Sequence, residues 1–264
     1  MNNQWYSTLA VITGAYGGLG EEICKQLDDK GVSLILTGRN SDKLQQLKSE
    51  LKNVVDVLSG DVADMQFRDN LQKLLKQHQS HKHVFINNAG ISDVNFLQNQ
   101  TDEDLERMLQ VNLLAPILIS KAVLPWLQSA NAGKLINIGS TFGAIGYPGF
   151  SGYCASKFGL RGFSQALARE LADTNVDVQY LAPRAVATKI NSSAVNHLNS
   201  ELKNKVDSPQ QIVPQIISAI EKGNSEQFFG WPEKLFVKVN GLFPKVVSGS
   251  IKKEHQKIKQ ILTQ

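Results

Sequence analysis

Short apolar or β-branched runs alternate along the chain with longer segments in which apolar residues recur every three or four positions. The runs at 9–12, 33–36, 54–58, 83–86, 134–138 and 177–181 have the length and residue types of strands, and their nearly continuous apolar character predicts burial of most of them on both faces. Between them the helical period predicts helices over 20–30, 41–51, 65–78, 101–128 and 153–172. Ser41 and Thr101 open the second and fourth of these with N-capping oxygens, and Asp102, Glu103 and Asp104 follow Thr101 where a helix dipole favours negative charge. Repeated strand–helix units of this kind predict an α/β fold, a Rossmann-like parallel sheet covered by helices on both faces. No internal repeat or low-complexity linker interrupts the pattern, so residues 1–230 read as one domain and 231–264 as a basic amphipathic extension.

Composition narrows the class. A chain of 264 residues that is 42% hydrophobic and 20% charged can bury one full core. Cys24 and Cys154 are its two cysteines, in no metal-ligand spacing, which argues against a disulfide scaffold or a metal site and fits a reducing cytoplasm. The N-terminus lacks a basic stretch followed by an apolar one, and no uninterrupted apolar run approaches the roughly 18 residues of a membrane span, so neither secretion nor integral insertion is expected.

The formal net charge of +4 is concentrated at one end. Residues 232–264 hold seven lysines against Glu233 and Glu254, a net +5, which leaves the remainder near neutrality. Without a basic stripe interleaved with aromatic residues elsewhere, nucleic acid is not an expected partner. Phe236, Val239, Phe243, Val246 and Val247 recur in this tail at near-helical spacing with lysines between them. Two readings stay open: peripheral contact with an anionic membrane surface, or packing on the protein or an oligomer partner. Gly241 and Pro244 interrupt any single long helix there.

The candidate chemistry begins directly after the first strand. Thr13-Gly14-Ala15-Tyr16-Gly17-Gly18-Leu19-Gly20 leads into a helix, and glycines in that context let a backbone turn tightly and approach a pyrophosphate. No Gly-Lys-Ser/Thr ending follows, so a nucleoside-triphosphate loop is not supported. Dinucleotide folds carry an acidic residue about 20 positions past such a loop to hold the adenosine ribose. Here Arg39 stands at that point, a forked donor suited to a ribose 2′-phosphate, which favours NADP(H) with NAD(H) as the alternative. Further on, Tyr153 and Lys157 lie one helical turn apart, and an ammonium on the same face lowers the pKa of a phenol towards a range useful for proton transfer. Taken alone, that spacing also occurs in ordinary surface helices.

Loop, Asn87-Asn88-Ala89-Gly90 and Tyr153-x-x-x-Lys157, in this order, resemble the short-chain dehydrogenase/reductase family from about Thr8 to Thr188. Asp61-Val62, Asn112 and Ser140 match further motifs of that family. The resemblance implies a doubly wound sheet of about seven strands. It also implies a catalytic set in which Tyr153 is the general acid or base, Lys157 lowers its pKa and binds the nicotinamide ribose, Ser140 polarises the carbonyl and Asn112 holds a water linking Lys157 to solvent. Gly14, Tyr16, Gly17, Gly18, Leu19, Gly20, Arg39, Asp61, Val62, Asn88, Ala89, Gly90, Pro183, Val186 and Thr188 would contact the dinucleotide, together with Tyr153 and Lys157. The family's usual Pro-Gly is here Pro183-Arg184, and an arginine at that point is expected either to face solvent or to meet an anionic substrate at the rim.

The same resemblance assigns a substrate lid to about 189–208 and a homodimer or homotetramer built on the helices carrying Asn112 and Tyr153. Ile91, Phe142, Ile145, Tyr147 and Phe150 are the pocket candidates. Their apolar character suits a small hydrophobic ketone or alcohol, acyl or lipid-like, reduced or oxidised by a cytoplasmic enzyme that could also touch a membrane surface through its tail. The alternative of another class is a catalytically idle dinucleotide-binding sensor or scaffold, against which the intact set of Asn112, Ser140, Tyr153 and Lys157 argues.

Overall fold

The computed structural model describes residues 4–188, 191–202 and 204–262. Among these, seven parallel strands form one sheet in the order β3-β2-β1-β4-β5-β6-β7. They are β1 (Thr8–Thr13), β2 (Ser33–Gly38), β3 (Val54–Ser59), β4 (Lys82–Asn87), β5 (Ala132–Ile138), β6 (Val176–Ala182) and β7 (Glu226–Phe228). The helices are α1 (Gly18–Asp29), α2 (Ser41–Glu50), α3 (Met65–Gln77), α4 (Asp102–Leu109), α5 (Ala115–Ser129), α6 (Ser151–Glu170), α7 (Ser193–Glu201), α8 (Pro209–Lys222), α9 (Glu233–Leu242) and α10 (Pro244–Leu262).

The two-sided burial expected of the strands divides the core in two. Ala10 and Ile12 of β1 pack on one side with Ile23 and Leu27 of α1, Leu44 of α2 and Ile216 of α8. Leu9 and Val11, pointing the other way, join Leu71 of α3, Ile119 and Val123 of α5 and Phe85 of β4. The order in which successive strands are added reverses at β1, which pairs with β2 on one side and with β4 on the other. Doubly wound sheets open a crevice at that point, outside the carboxyl ends of the strands.

Several boundaries differ from the sequence expectation. The N-cap of α2 is Asn40, whose side chain accepts from Lys43 N at 2.9 Å, and Ser41 is the first helical residue. Thr101 caps α4 as expected, by accepting from Asp104 N at 3.1 Å. The helix expected over 101–128 is split by a widened, π-type turn, Gln110–Leu114, which contains Asn112. By length and composition alone, Asp102–Ser129 could cross a bilayer. Its apolar residues instead fill the core, with Ile119, Val123 and Leu127 essentially inaccessible.

The segment after β6 wraps the crevice. Lys189, Ile190 and Lys203 of the expected lid lie outside the described residues; α7 occupies the middle of it. From the tail, Ile258, Ile261 and Leu262 of α10 pack with Val195 and Leu198 of α7 and with Val94, Phe150 and Cys154 of the main domain. Asn240 of α9 donates to the Ala144 carbonyl at 2.9 Å, and Tyr147 donates to Glu254 of α10 at 2.9 Å.

Arg184 corrects both expectations placed on it. Its side chain is only 13% exposed, so it does not face solvent. It donates to both carboxylate oxygens of Asp207, at 2.9 and 2.6 Å, to Glu233 at 3.1 Å and to the Trp231 carbonyl at 3.0 Å, so four of its five donors and its charge are committed within the protein rather than to a substrate anion. The two-pronged contact is the geometry a planar guanidinium favours. One side chain thus ties the end of the lid to the start of the tail. Arg184→Ala is expected to cost about 1–3 kcal/mol of stability in chemical denaturation, because it leaves two carboxylates without their donor. Limited proteolysis should then cut faster within 191–208, and Arg184→Lys, which keeps the charge but not the fork, should fall between the variant and the parent.

Candidate active site

The glycine turn closes on itself around β1. Gly14 takes φ 66° and its carbonyl accepts from Gly17 N at 3.0 Å. A Cβ on Gly20 would run into the Gly14 carbonyl oxygen, and one on Gly18 would come within 3.1 Å of Thr188 Cγ2. No side chain caps the start of α1 at Gly17, so the first N–H groups, at Gly18, Leu19 and Gly20, point out of the helix without an intrahelical partner. That is a cradle for an anion approached by backbone alone, and it fits the pyrophosphate of a dinucleotide. Asn88 and Ala89 brace it: both backbone N–H groups donate to Thr13 Oγ1 at 3.0 Å, and the Asn88 amide donates to the Thr13 and Gly14 carbonyls at 3.0 and 3.2 Å.

At the far end of the cradle, the Tyr16 ring covers Gly38 and its hydroxyl accepts from Asn40 N at 3.1 Å. Arg39 is exposed at the end of β2, and the Lys43 ammonium lies 5.7 Å from the Tyr16 ring centre. Asp61 accepts from Ala63 N at 2.9 Å and from Arg107. Burial pushes its carboxyl up, but the Ala63 hydrogen bond and Arg107, aided by the charge of Arg39, outweigh burial and hold it below the usual range. Val62 beside it is buried. Arg107 escaped the sequence reading because the pairing joins positions 46 residues apart.

The reactive groups meet where β5 ends. Lys157, 6% exposed, donates to the Ile138 carbonyl at 3.1 Å and its ammonium lies 5.8 Å from the Tyr153 ring centre. Ser140 Oγ accepts from Phe142 N at 3.1 Å, which leaves its own proton to donate elsewhere. Asn112 is fully buried: it donates to the Ile91 carbonyl at 2.8 Å and accepts from Ile91 N at 2.9 Å. The widened turn on which it sits therefore anchors the loop after β4, with Gly90 directly beneath the amide. On the opposite side, Pro183, Val186 and Thr188 line the same cleft, and Asn191 braces the Val186 carbonyl at 2.8 Å.

Tyr180 is the residue the sequence did not reveal. Fully buried on β6, it accepts from Ser140 N and donates to the Ser140 carbonyl, both at 3.2 Å, while its ring occupies the space a side chain at Gly139 would need. The signal is legible only once β5 and β6 are paired in register, Asn137 opposite Tyr180.

The cleft encloses about 240 Å³. Ile91, Phe142, Tyr147 and Phe150 line it as expected, and Val195 and Leu198 of α7 add to its apolar wall; Ile145 does not reach it. The rings of Phe142 and Tyr147 stack at 5.3 Å, and Phe142 and Phe150 both pack edge-on against Tyr153.

Burial dominates the electrostatics. It pushes the Tyr153 phenol from 10.0 up to about 12, against the opposing hydrogen bond of Ser140. It pulls Lys157 from 10.5 down to about 8. The expected lowering of the phenol by Lys157 is not found, because burial and Ser140 set its shift: near neutrality the phenol carries its proton and the amine its charge. The depressed lysine makes stability pH-dependent. Between the folded value near 8 and the unfolded value near 10.5, the unfolded chain holds the extra proton, so the penalty is full below about pH 8 and fades as pH rises to the unfolded value. Relative to Lys157→Met, the parent should gain about 3 kcal/mol between pH 7.5 and 10.5 in denaturant titrations.

Known proteins share the family and the fold. The family described as short chain dehydrogenase matches residues 8–199. The chain is 33% identical to the 3-oxoacyl-(acyl-carrier-protein) reductase of Haemophilus influenzae over 180 residues, 68% of this chain and 74% of that protein. It is 33% identical to nodulation protein G of Rhizobium meliloti over 200 residues, 75% and 79% of the two chains. Among solved structures, a short-chain dehydrogenase from Streptomyces avermitilis superposes with TM-score 0.80 at 22% identity, covering 97% of this chain and 98% of that one. One from Burkholderia cenocepacia, in complex with NADP, gives 0.79 at 20% identity over 92% and 96%. With its sheet order, glycine cradle and Tyr-Lys-Ser cluster all in one frame, the chain belongs to the short-chain dehydrogenase family of oxidoreductases.

Proposed function

We propose that the protein is an NADP(H)-dependent reductase of ketones on small hydrophobic substrates, acyl or lipid-like, and catalyses the reverse oxidation of secondary alcohols. The observation that carries this reading is the meeting of Tyr153, Ser140 and Lys157 at the polar end of a cleft whose other wall is apolar. The dinucleotide, when bound, supplies the hydride. Tyr153, protonated at neutral pH, donates a proton to the carbonyl oxygen, and Ser140, its acceptor side fixed by Phe142 N, donates a hydrogen bond to the same oxygen as negative charge grows there. The Lys157 charge favours the phenolate left behind. Asn112, held at both ends by Ile91, keeps the proton path beside Lys157 in shape.

Preference for NADP(H) is supported by Arg39, exposed beside the cradle with Lys43 following in the first turn of α2 and no carboxylate at its own position. The relatives from Burkholderia cenocepacia and Sphingobium yanoikuyae, solved with NADP and NADPH, are in keeping with it. Leu109 at the end of α4, Leu114 in the widened turn beside Asn112, and Phe158 on α6, all exposed, favour a homo-oligomer formed on this surface.

Turnover of NADPH against a panel of β-keto acyl thioesters and long-chain ketones tests the chemistry. Tyr153→Phe is expected to reduce kcat by roughly 10²–10⁴-fold while NADPH binding, read by fluorescence, is retained; undiminished turnover would remove Tyr153 from the mechanism. Arg39→Asp should weaken NADPH binding by roughly 10–100-fold, the loss of one charge-assisted contact, and leave NADH binding equal or better. An unchanged NADPH/NADH ratio would refute the assignment of Arg39.

A further inference from the structure

We infer that the outer face of α9 and the turn into α10 dock on an anionic lipid surface. Of the fourteen large hydrophobic side chains exposed among the described residues, six fall within residues 231–246. They are Trp231, Leu235, Phe236, Leu242, Phe243 and Val246, with exposures of 42–74%. Their concentration is not a by-product of a helix left without a core. The opposite side of α9 is anchored, with Val237 buried, Asn240 on the Ala144 carbonyl and Glu233 on Arg184. Leu235, Lys238 and Leu242, exposed at i, i+3 and i+7, share one outward stripe of the helix.

Charge identifies the occupant. Lys234, Lys238 and Lys245 are exposed among these six side chains, whereas Glu233, the one carboxylate in the same stretch, is engaged with Arg184. The surface is thus strongly cationic around an apolar centre. A second copy of the same face would bring like charges together, which disfavours a self-complementary dimer here. A purely acidic protein would satisfy the lysines but leave the Leu242–Phe243 turn, the most exposed apolar point, without a counterpart. An anionic bilayer satisfies both, since aromatic and aliphatic side chains enter the interface and lysine stems reach back to the headgroups. Because Glu233 also lines the cleft, docking through α9 would hold the cleft near the surface in which a hydrophobic carbonyl compound dissolves. That last consequence rests on the reductase reading; the docking does not, and it is measured without turnover.

Truncating the tail would strip Ile258 from its packing against α7, so point variants are the proper test. The full chain is sedimented with phosphatidylcholine vesicles with and without phosphatidylglycerol. Binding is expected with phosphatidylglycerol, weak without it, and reduced roughly tenfold or more by the double change Leu242→Glu and Phe243→Glu or by high salt. Both positions are exposed, and an unchanged unfolding midpoint verifies that the fold survives. Equal partitioning onto both vesicles, or binding unaffected by the double change, overturns the inference. So does retention on immobilised polyglutamate without vesicle binding, which would assign the face to an acidic protein. A change of oligomeric mass caused by the double variant, without vesicle binding by the parent, would assign it to contact between copies and likewise overturn it.

Discussion

Burying the Lys157 ammonium beneath the cleft carries a desolvation cost, seen in its pKa near 8, and the contact that offsets it is the Ile138 carbonyl at the end of β5. That contact fixes where α6 begins relative to the sheet, and with it the position of Tyr153 one turn earlier. The strand end then has to continue without obstruction, and Gly139 leaves room for the Tyr180 ring, whose hydroxyl holds both backbone groups of Ser140. The serine, the phenol and the ammonium are thus aligned by one strand end, one neighbouring strand and one helix. The crevice between β1 and β4 supplies the complementary half, a turn of backbone that Asn88 and Thr13 hold open.

Much of this was legible in the sequence where a single element carries the signal. Five strands announced themselves because burial on both faces demands continuous apolar runs, β3, a half-exposed edge strand, by its β-branched residues, and the glycine turn because its strand and helix flanks are local. β7 did not, since Glu226-Gln227-Phe228 is too short for a period and is held by Arg161 and Gln165 on Glu226. α8 was missed although its signs are present: Pro209 in the first turn, Gln211 accepting from Ser208 N at 2.9 Å, and Gly223 at φ 70° behind it. Tyr180, Arg107 and Arg184 were misjudged or unseen for a different reason. Each acts across more than twenty residues of sequence, and the partner that gives it meaning is set by topology rather than by spacing.

The departure at Arg184 shows how one substitution in a motif can be absorbed. A glycine there would leave the strand end free, whereas the arginine recruits Asp207 and Glu233 and builds the tail into the wall of the cleft. Family members that lack such a tail would have no partner for the third contact. The apolar wall formed by α7 and α10 is the other half of the same arrangement, because Val195 and Leu198 would otherwise present an unsupported helix over the cleft.

The three segments joined by Arg184 also leave the ribosome in a fixed order, with residue 233 the last of them. Until Glu233 and the helix behind it have emerged, a nascent chain can complete its sheet and its glycine cradle but cannot fasten the lid. The reactive residues would therefore be assembled before the cleft that encloses them is fastened.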